Sequence, residues 1–193
     1  MTTIVIVLTE DYADWETSLL SAAARSFYGA TVTHATPGGR PVRSAGGLNV
    51  SPDIAVEDID VGALDALIVC GGTAWQKPGA PDLTSLLRAA RDKGKVIGAI
   101  CDGTVAAART GILDDVRHTS NGVGHLDDTG YKGKGLYEDV PYAITDGKIV
   151  TASGTAPVSF TGAVLTAIGY GGEELNYYLG LHAAQHSPQP AKA

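Results

Sequence analysis

The sequence has few cysteines, few basic residues and no long apolar segment. Two cysteines among 193 residues are too few for a disulfide scaffold, so we expect free thiols in a reducing compartment. A net charge of −7, from 14 Lys and Arg against 21 Asp and Glu, disfavours nucleic-acid and anionic-membrane partners. No apolar run approaches the roughly 18–20 residues of a membrane-spanning helix, and residues 1–10 lack the basic start of a signal peptide. The sequence therefore predicts a cytoplasmic protein with no membrane segment.

Aromatic residues are also scarce, at 6%, whereas glycine reaches 25 residues. This balance favours tight turns between strands and helices over an aromatic-packed β-sandwich. A hydrophobic content of 44% with 18% charged residues is ordinary for a globular protein. We expect one domain over residues 1–186, without internal repeats, and a flexible proline-containing tail over residues 187–193.

Three short apolar runs predict strands that are buried on both faces, at residues 4–8, 66–70 and 95–100. Turn pairs predict hairpins at Gly46-Gly47 and Asp146-Gly147, and residues 118–120 read as a further short strand. Helical patterns occupy residues 14–28, 81–93, 105–110, 158–168 and 173–185. Buried strands that alternate with helices predict an α/β fold, a three-layer αβα sandwich with a mainly parallel sheet.

Cys101 ends the third of these strands, and a predicted helix follows at once. Small residues flank it at Ala99 and Gly103, which is the pattern of a nucleophile elbow with cysteine in place of serine. A helix start beneath the sulphur favours the thiolate, and its backbone N–H groups can stabilise an oxyanion. The alternative is a buried structural cysteine, which is how we interpret Cys70 inside its apolar strand.

Two further segments reach the same sheet edge, because ligands of parallel sheets bind beyond the carboxyl ends of the strands. Gly72 follows the second buried strand, and its amide is a candidate oxyanion donor. Asp14 and Glu16 begin the first helix, where acidic residues commonly serve only as caps. A protonated carboxyl beside a thiolate would instead donate a hydrogen bond to it, and Glu16 is the first candidate for this role, with Asp14 second.

The order of these motifs resembles the ThiJ/PfpI superfamily over about residues 2–170. The resemblance rests on the acidic helix start, the Gly-Gly turn and the Ala99-Ile100-Cys101 elbow, and residues 13–16 and 117–121 are most similar to the bacterial branch labelled class I glutamine amidotransferases. That superfamily includes intracellular-protease-like proteins, a parkinsonism-associated deglycase, isocyanide hydratases and glyoxalase-type enzymes. The resemblance implies a flavodoxin-like fold and a homodimer. It also implies Cys101 as the nucleophile or redox cysteine, Glu16 as its hydrogen-bond partner, and the amides of Gly72 and Asp102 as the oxyanion hole.

The sequence departs from the superfamily at the positions that would supply a base. Protease-like members carry histidine directly after the cysteine, where this chain has Asp102, and other members carry it where this chain has Asn121. His125 and His118 are therefore the candidates for a base near the pocket, and Trp75 is a candidate for the pocket rim. No downstream His-x-Glu pair exists, which argues against glutaminase activity by the standard triad.

Two functions fit these residues. In the first, Cys101 attacks a small electrophilic substrate, such as an aldehyde, an isocyanide or an acyl group, and Glu16 holds or shuttles the proton. In the second, the protein is a non-catalytic oxidative-stress sensor or protective protein, and Cys101 is oxidised to sulfenic or sulfinic acid. His182 and His186 share the spacing of zinc ligands on one helix face, but no third ligand accompanies them. We therefore predict neither a metal nor a cofactor.

Overall fold

A seven-stranded sheet forms the centre of the computed structural model, which describes residues 1–186. The expected tail, residues 187–193, lies outside the described residues. The strands are β1 (Thr3–Val7), β2 (Thr31–Thr36), β3 (Val42–Arg43), β4 (Asn49–Val50), β5 (Ile54–Ala55), β6 (Ala66–Val69), β7 (Val96–Ile100), β8 (Ile144–Asp146) and β9 (Ile149–Ala152). The sheet order is β5-β2-β1-β6-β7-β9-β8, and β3 and β4 pair separately as an antiparallel hairpin.

All neighbouring strands of the sheet are parallel except β8, which pairs antiparallel with β9 across the predicted Asp146-Gly147 turn. The three predicted strands are the central ones, because runs of apolar residues can be covered on both faces only in the middle of a sheet. Val69 of β6 lies beside Ala99 of β7. The residues that follow, Gly71 and Cys101, therefore leave the sheet side by side.

Helices cover both faces of the sheet, as the three-layer prediction requires. They are α1 (Asp14–Tyr28), α2 (Thr84–Asp92), α3 (Gly103–Arg109), α4 (Pro157–Leu165) and α5 (Glu173–Ala184). One core packs Leu67 and Ile97 against α2 and α3, whereas the other packs Ile68 and Val150 against α1 and α4. This arrangement confirms the flavodoxin-like αβα sandwich. Within residues 1–186, no helix is both long enough and apolar enough to cross a lipid bilayer.

Three local expectations were wrong. The predicted strand at residues 118–120 is a single bridge between His118 and Tyr137, because this segment lies outside the sheet. The helix predicted over residues 158–168 ends at Leu165 and continues as a wide turn, in which Gly169 adopts a φ of 98°. Trp75 lies in the core and not at a pocket rim: it is fully buried, and its Nε1 donates a hydrogen bond of 2.8 Å to the carbonyl of Cys70.

Gly103 lets the start of α3 pack directly against the backbone at the end of β6. A Cβ atom at this position would overlap the carbonyl oxygen of Val69 and lie 3.2 Å from that of Cys70. Both obstacles are main-chain atoms at the end of a central strand, so neither can rotate away as a side chain could. The small residue two positions after Cys101 is thus a packing requirement of the elbow.

We expect Gly103→Ala to lower the free energy of unfolding by about 1–3 kcal/mol, the usual cost of overpacking a core. Urea denaturation monitored by circular dichroism measures this loss. Gly135→Ala is the matched control, because a Cβ atom at Gly135 meets no other atom within 4 Å. Equal unfolding midpoints for the two variants would contradict the packing role.

Candidate active site

Cys101 occupies a strained turn directly after β7. Its φ is +55°, and among the described non-glycine residues only Asp11 shares a positive φ. Such a conformation is costly for a residue with a Cβ atom and persists only where its surroundings enforce it. Here the Cys101 amide donates to the carbonyl of Ala152, at 2.9 Å, and the Cys101 carbonyl accepts from the amide of Thr104, at 3.0 Å. The turn therefore holds Cys101 at the carboxyl edge of the sheet, as the elbow pattern predicts.

Glu16 is a fully buried carboxyl that reaches this edge from the first turn of α1. Its Oε2 accepts a hydrogen bond of 2.8 Å from the amide of Gly71 and lies 3.9 Å from the sulphur of Cys70. Its Oε1 is buried without a hydrogen-bond partner among the described residues, and it borders the same space as Sγ of Cys101, beside Gly154. The structure thus brings together the two residues that the sequence analysis ranked first.

Gly154, which the sequence analysis did not single out, borders the space between these two groups. A Cβ atom there would lie 2.8 Å from Oε1 of Glu16 and 2.9 Å from Sγ of Cys101. Any side chain at Gly154 would therefore displace the carboxyl or the thiol. The position has no sequence signal of its own, because its glycine resembles the many glycines of ordinary turns.

The protonation states of Glu16 and Cys101 depend on each other. Burial raises the pKa of Glu16 from 4.5 to about 7, against the hydrogen bonds that it receives. Burial and the negative charge of Glu16 raise the pKa of Cys101 to about 12, which is opposite to the lowered pKa expected from a helix start. The physical reason is that two negative charges cannot share one buried site. The pair therefore carries at most one charge near neutral pH, which these pKa values place on Glu16, and a Cys101 thiolate requires Glu16 to hold the proton instead.

The side-chain amide of Asn121 lies between the backbone of Gly154 and the sulphur of Cys101. Its Oδ1 accepts a hydrogen bond of 3.0 Å from the amide of Gly154, which fixes oxygen and nitrogen because a backbone N–H can only donate. The amide nitrogen therefore faces Cys101, at 3.2 Å from Sγ. This contact lowers the pKa of Cys101, against the larger effects of burial and Glu16. Asn121 thus supplies a hydrogen bond to the sulphur, although it cannot act as a base.

Asp102 and His125 form a pair beside Cys101. Nε2 of His125 lies 2.9 Å from Oδ1 of Asp102, with side chains 22% and 9% exposed. The same oxygen accepts a hydrogen bond of 2.8 Å from the amide of Gln76. His125 therefore reaches the site, as one of the two histidines expected there, but it contacts Asp102 and not the sulphur.

Two other candidates have partners elsewhere. Oδ2 of Asp14 accepts hydrogen bonds from the hydroxyl of Ser44, at 2.6 Å, and the amide of Gly46, at 3.1 Å. Asp14 therefore anchors the β3–β4 turn, and the second choice of carboxylate was wrong. His118 is fully buried, its Nδ1 lies 2.8 Å from the carbonyl of Val116, and its ring packs between Tyr131 and Tyr137. His118 is therefore a buried residue whose described contacts are with Val116, Tyr131 and Tyr137, and none of them is with Cys101.

The candidate oxyanion donors follow β6 and β7. The backbone amides of Gly72 and Asp102 donate to no protein acceptor among residues 1–186. The oxyanion hole remains a prediction. Cys70, by contrast, is fully buried, and burial raises the pKa of its thiol well above the ordinary range. Among the residues that the structure describes, no group of three metal-ligating side chains comes together, and His182 packs on the ring of Tyr178.

A parallel αβα sandwich with a strained cysteine at the carboxyl edge of its sheet is typical of α/β proteins whose nucleophile elbow carries cysteine in place of serine. Within that class, the chain belongs to the DJ-1/PfpI family, whose model matches residues 2–167. The family assignment confirms the ThiJ/PfpI resemblance of the sequence.

Three relatives illustrate the match. The crystal structure of the DJ-1 superfamily protein Atu0886 from Agrobacterium tumefaciens has a TM-score of 0.94 and 44% identity, over 97% of this chain and 100% of that one. YoaZ of Bacillus subtilis, named as an uncharacterized protease, is 35% identical over 64% of this chain and 60% of its own length. The glutathione-independent glyoxalase DJR-1.2 of Caenorhabditis elegans is 30% identical over 65% of this chain and 66% of that protein. The match to YoaZ thus spans less than two thirds of its length.

We expect the Cys101 alkylation rate, measured with iodoacetamide against pH, to depend on the residue at position 16. Glu16→Gln removes the titrating charge but keeps a donor, so the step near pH 7 should disappear. Glu16→Leu has neither charge nor donor. The Cys101 thiolate then loses about 1.5–3 kcal/mol of charge-assisted hydrogen bonding, which places the pKa of Cys101 about one to two units above its value in the Gln variant. Asp14→Asn is the control, and superimposable profiles at position 16 would make Glu16 purely structural.

The free energy of unfolding should also depend on pH because of Glu16. The native carboxyl holds its proton up to about pH 7, whereas the unfolded one releases it near its ordinary value of 4.5. The native state therefore binds more protons in this window, and its stability falls as pH rises from about 4.5 to about 7. Glu16→Gln should lack this fall. Urea unfolding across the window measures the difference, and parallel curves for the two proteins would refute it.

Proposed function

We propose that the chain is a cysteine-dependent enzyme for small electrophilic substrates, of the glyoxalase-, hydratase- or amidase-like type. The observation that carries this proposal is the position of the fully buried Glu16 carboxyl beside Cys101, where both border the space at Gly154. A cysteine held at a positive φ beside a carboxyl of pKa about 7 has both a nucleophile and a proton source in one contact. A merely structural thiol needs neither the strained turn nor the buried acid.

The first step follows from the protonation state. In the reactive form, Cys101 is the thiolate and Glu16 carries the proton. For a carbonyl substrate, the sulphur lone pair forms a bond to the electrophilic carbon, while the π electrons of the C=O bond move to oxygen. That atom takes the proton of Glu16, which leaves a carboxylate hydrogen-bonded to Gly71. The free amides of Gly72 and Asp102 would stabilise the charge that develops on the heteroatom.

An aldehyde is the substrate class that we favour. Addition to an aldehyde needs one proton for the oxygen and no expelled amine, so a single carboxyl suffices. Cleavage of an amide also needs protonation of a leaving amine, for which no histidine among residues 1–186 hydrogen-bonds the Cys101 sulphur. Similarity to DJR-1.2, named as a glyoxalase, supports the same choice. We further propose a cytoplasmic homodimer, and we do not propose glutaminase activity.

The alternative is an oxidative-stress sensor in which Cys101 is oxidised and no substrate is turned over. One observation favours it, namely that His125 contacts Asp102 and not the sulphur. In that case Asn121, at 3.2 Å from Sγ, would stabilise the oxidised sulphur by a hydrogen bond.

An activity panel separates the two functions. We expect turnover of at least one of methylglyoxal, glyoxal, an isocyanide or an aryl amide, with a loss on the order of 1,000-fold or more in Cys101→Ser. Cys70→Ser is the matched control and should retain activity, because Cys70 is buried and reaches no substrate. A blank panel combined with selective oxidation of Cys101 by peroxide, read by peptide mapping, would establish the sensor instead.

A further inference from the structure

A groove of about 710 Å³ lies between α4 and α5, and its walls include Ala163, Gly180 and Tyr142. No Asp, Glu, Lys or Arg within residues 1–186 lines this α4–α5 groove. Trp15 and Tyr142 border it and are 55% and 53% exposed, although aromatic residues make up only 6% of the chain. Exposed apolar surface of this kind, gathered in a concave place, is typical of a binding site.

The α4–α5 groove reaches the residues that surround Cys101. Trp15 and Gly154 both line it, and Nε1 of Trp15 donates a hydrogen bond of 3.0 Å to the carbonyl of Gly154. Trp15 directly precedes Glu16 on α1, and a Cβ atom at Gly154 would lie 2.9 Å from Sγ of Cys101. Gly154 therefore borders both the groove and the space at the sulphur, so a ligand bonded to Sγ needs only a short substituent to reach the groove.

The polar side chains on this wall already have partners within the protein. The hydroxyl of Ser159 accepts from the amide of Ala143, at 3.0 Å, and donates to the carbonyl of Ala156, at 3.2 Å. The hydroxyl of Thr155 lies 2.7 Å from that of Ser153. A polar substituent placed here would lose its hydration without gaining an equivalent partner, whereas an apolar one loses nothing. The chemistry of the wall thus favours a hydrocarbon group.

We propose that the α4–α5 groove binds the apolar substituent of the substrate, and that the substrates are therefore aldehydes that carry an alkyl or aryl group. This inference rests on the proposed function, because it assigns the substrate of the Cys101 site. The carbonyl carbon lies at Sγ, and the substituent passes Gly154 and Trp15 into the groove. Each methylene that is buried there should tighten binding about fourfold, until the groove is filled.

The test uses two alkylating reagents with the same reactive carbon, iodoacetamide and N-benzyliodoacetamide. In both reactions the sulphur forms the new C–S bond and iodide leaves, so turnover of a substrate is not required. The rate constants at Cys101 are measured by peptide mapping, and the benzyl-to-parent ratio is divided by the same ratio for glutathione. We expect this corrected ratio to be at least about 10 in the wild-type protein, as for an apolar group that enters a hydrophobic pocket.

Two variants change the groove itself. A Cβ atom at Gly180 meets no other atom within 4 Å, so the ring of Gly180→Phe can occupy the groove, and the corrected ratio should fall to near 1. Tyr142→Ala removes part of a half-exposed wall and should lower the ratio about threefold or more. Leu181→Phe is the matched control, because this neighbour on the same helix is 58% exposed and lies outside the groove. Its ratio should stay within twofold of wild type.

A substrate pair extends the test to catalysis. Where the electrophile panel shows turnover, Gly180→Phe should lower kcat/KM for phenylglyoxal about 10-fold more than for methylglyoxal, whose methyl group is too short to fill the groove. Equal losses for the two substrates would overturn the proposal.

The remaining outcomes are distinct. A wild-type ratio near 1, or one that Gly180→Phe leaves unchanged, would overturn the subsite. A ratio that rises only when dilution produces monomers would assign the groove to a second copy of the chain, and one that rises only in a chain ending at His186 would assign it to residues 187–193. Both results would overturn the proposal. Failure of the proposed function appears elsewhere, as a panel without turnover.

Discussion

The burial of the Glu16 carboxyl against Cys101 is the constraint on which the site depends. A carboxyl without access to water is stable there in its neutral form, or as an anion while the neighbouring thiol is neutral. The amide of Gly71 gives Oε2 a donor, and Gly154 leaves room for the other oxygen beside the sulphur. Both glycines are needed because any Cβ atom at either position would enter the space of Glu16 or Cys101.

A second acidic group, Asp102, lies one residue from the nucleophile and would by itself oppose a thiolate. Its charge raises the pKa of both Cys101 and Glu16. The structure offsets this effect by surrounding Oδ1 with donors from Gln76, His125 and Asn121. The same contacts that stabilise the carboxylate also orient the imidazole.

Membership of the DJ-1/PfpI family establishes the fold of this chain, but it does not establish which reaction the site performs. The sheet, the elbow and the helix that carries Glu16 all fall within residues 2–167, the part that the family model matches. His125 and Asn121 instead lie on the segment between α3 and β8, in which residues 110–143 form only short turns and one isolated bridge. Long connections of this kind tolerate change better than buried strands. We therefore look for differences in substrate among relatives in this segment and not in the sheet.

The local sequence pattern was sufficient to predict those helices, strands and turns that depend on the order of apolar and turn-forming residues within one segment. The helix over residues 14–28 was predicted to the residue, the central strands to within one or two residues, and the Asp146-Gly147 hairpin at its turn, because periodicity and turn chemistry are properties of neighbouring residues. Cys101 and Glu16 could be chosen on the same basis, since parallel strands must present their carboxyl ends at one edge.

Only the tertiary structure decided the partners of the remaining side chains. Trp75, Asp14 and His118 are residue types that often line functional sites, but each has its partners elsewhere. Trp75 bonds to the backbone in the core, Asp14 bonds to the β3–β4 turn, and His118 packs between two tyrosine rings. Gly154, Gln76 and the orientation of Asn121 gave no sequence signal, because each acts through one contact with a residue at least 20 positions away. The sequence by itself determined which elements form and which edge is reactive. Which charge lies beside which atom is a matter of distances between segments, and these exist only once the chain has folded.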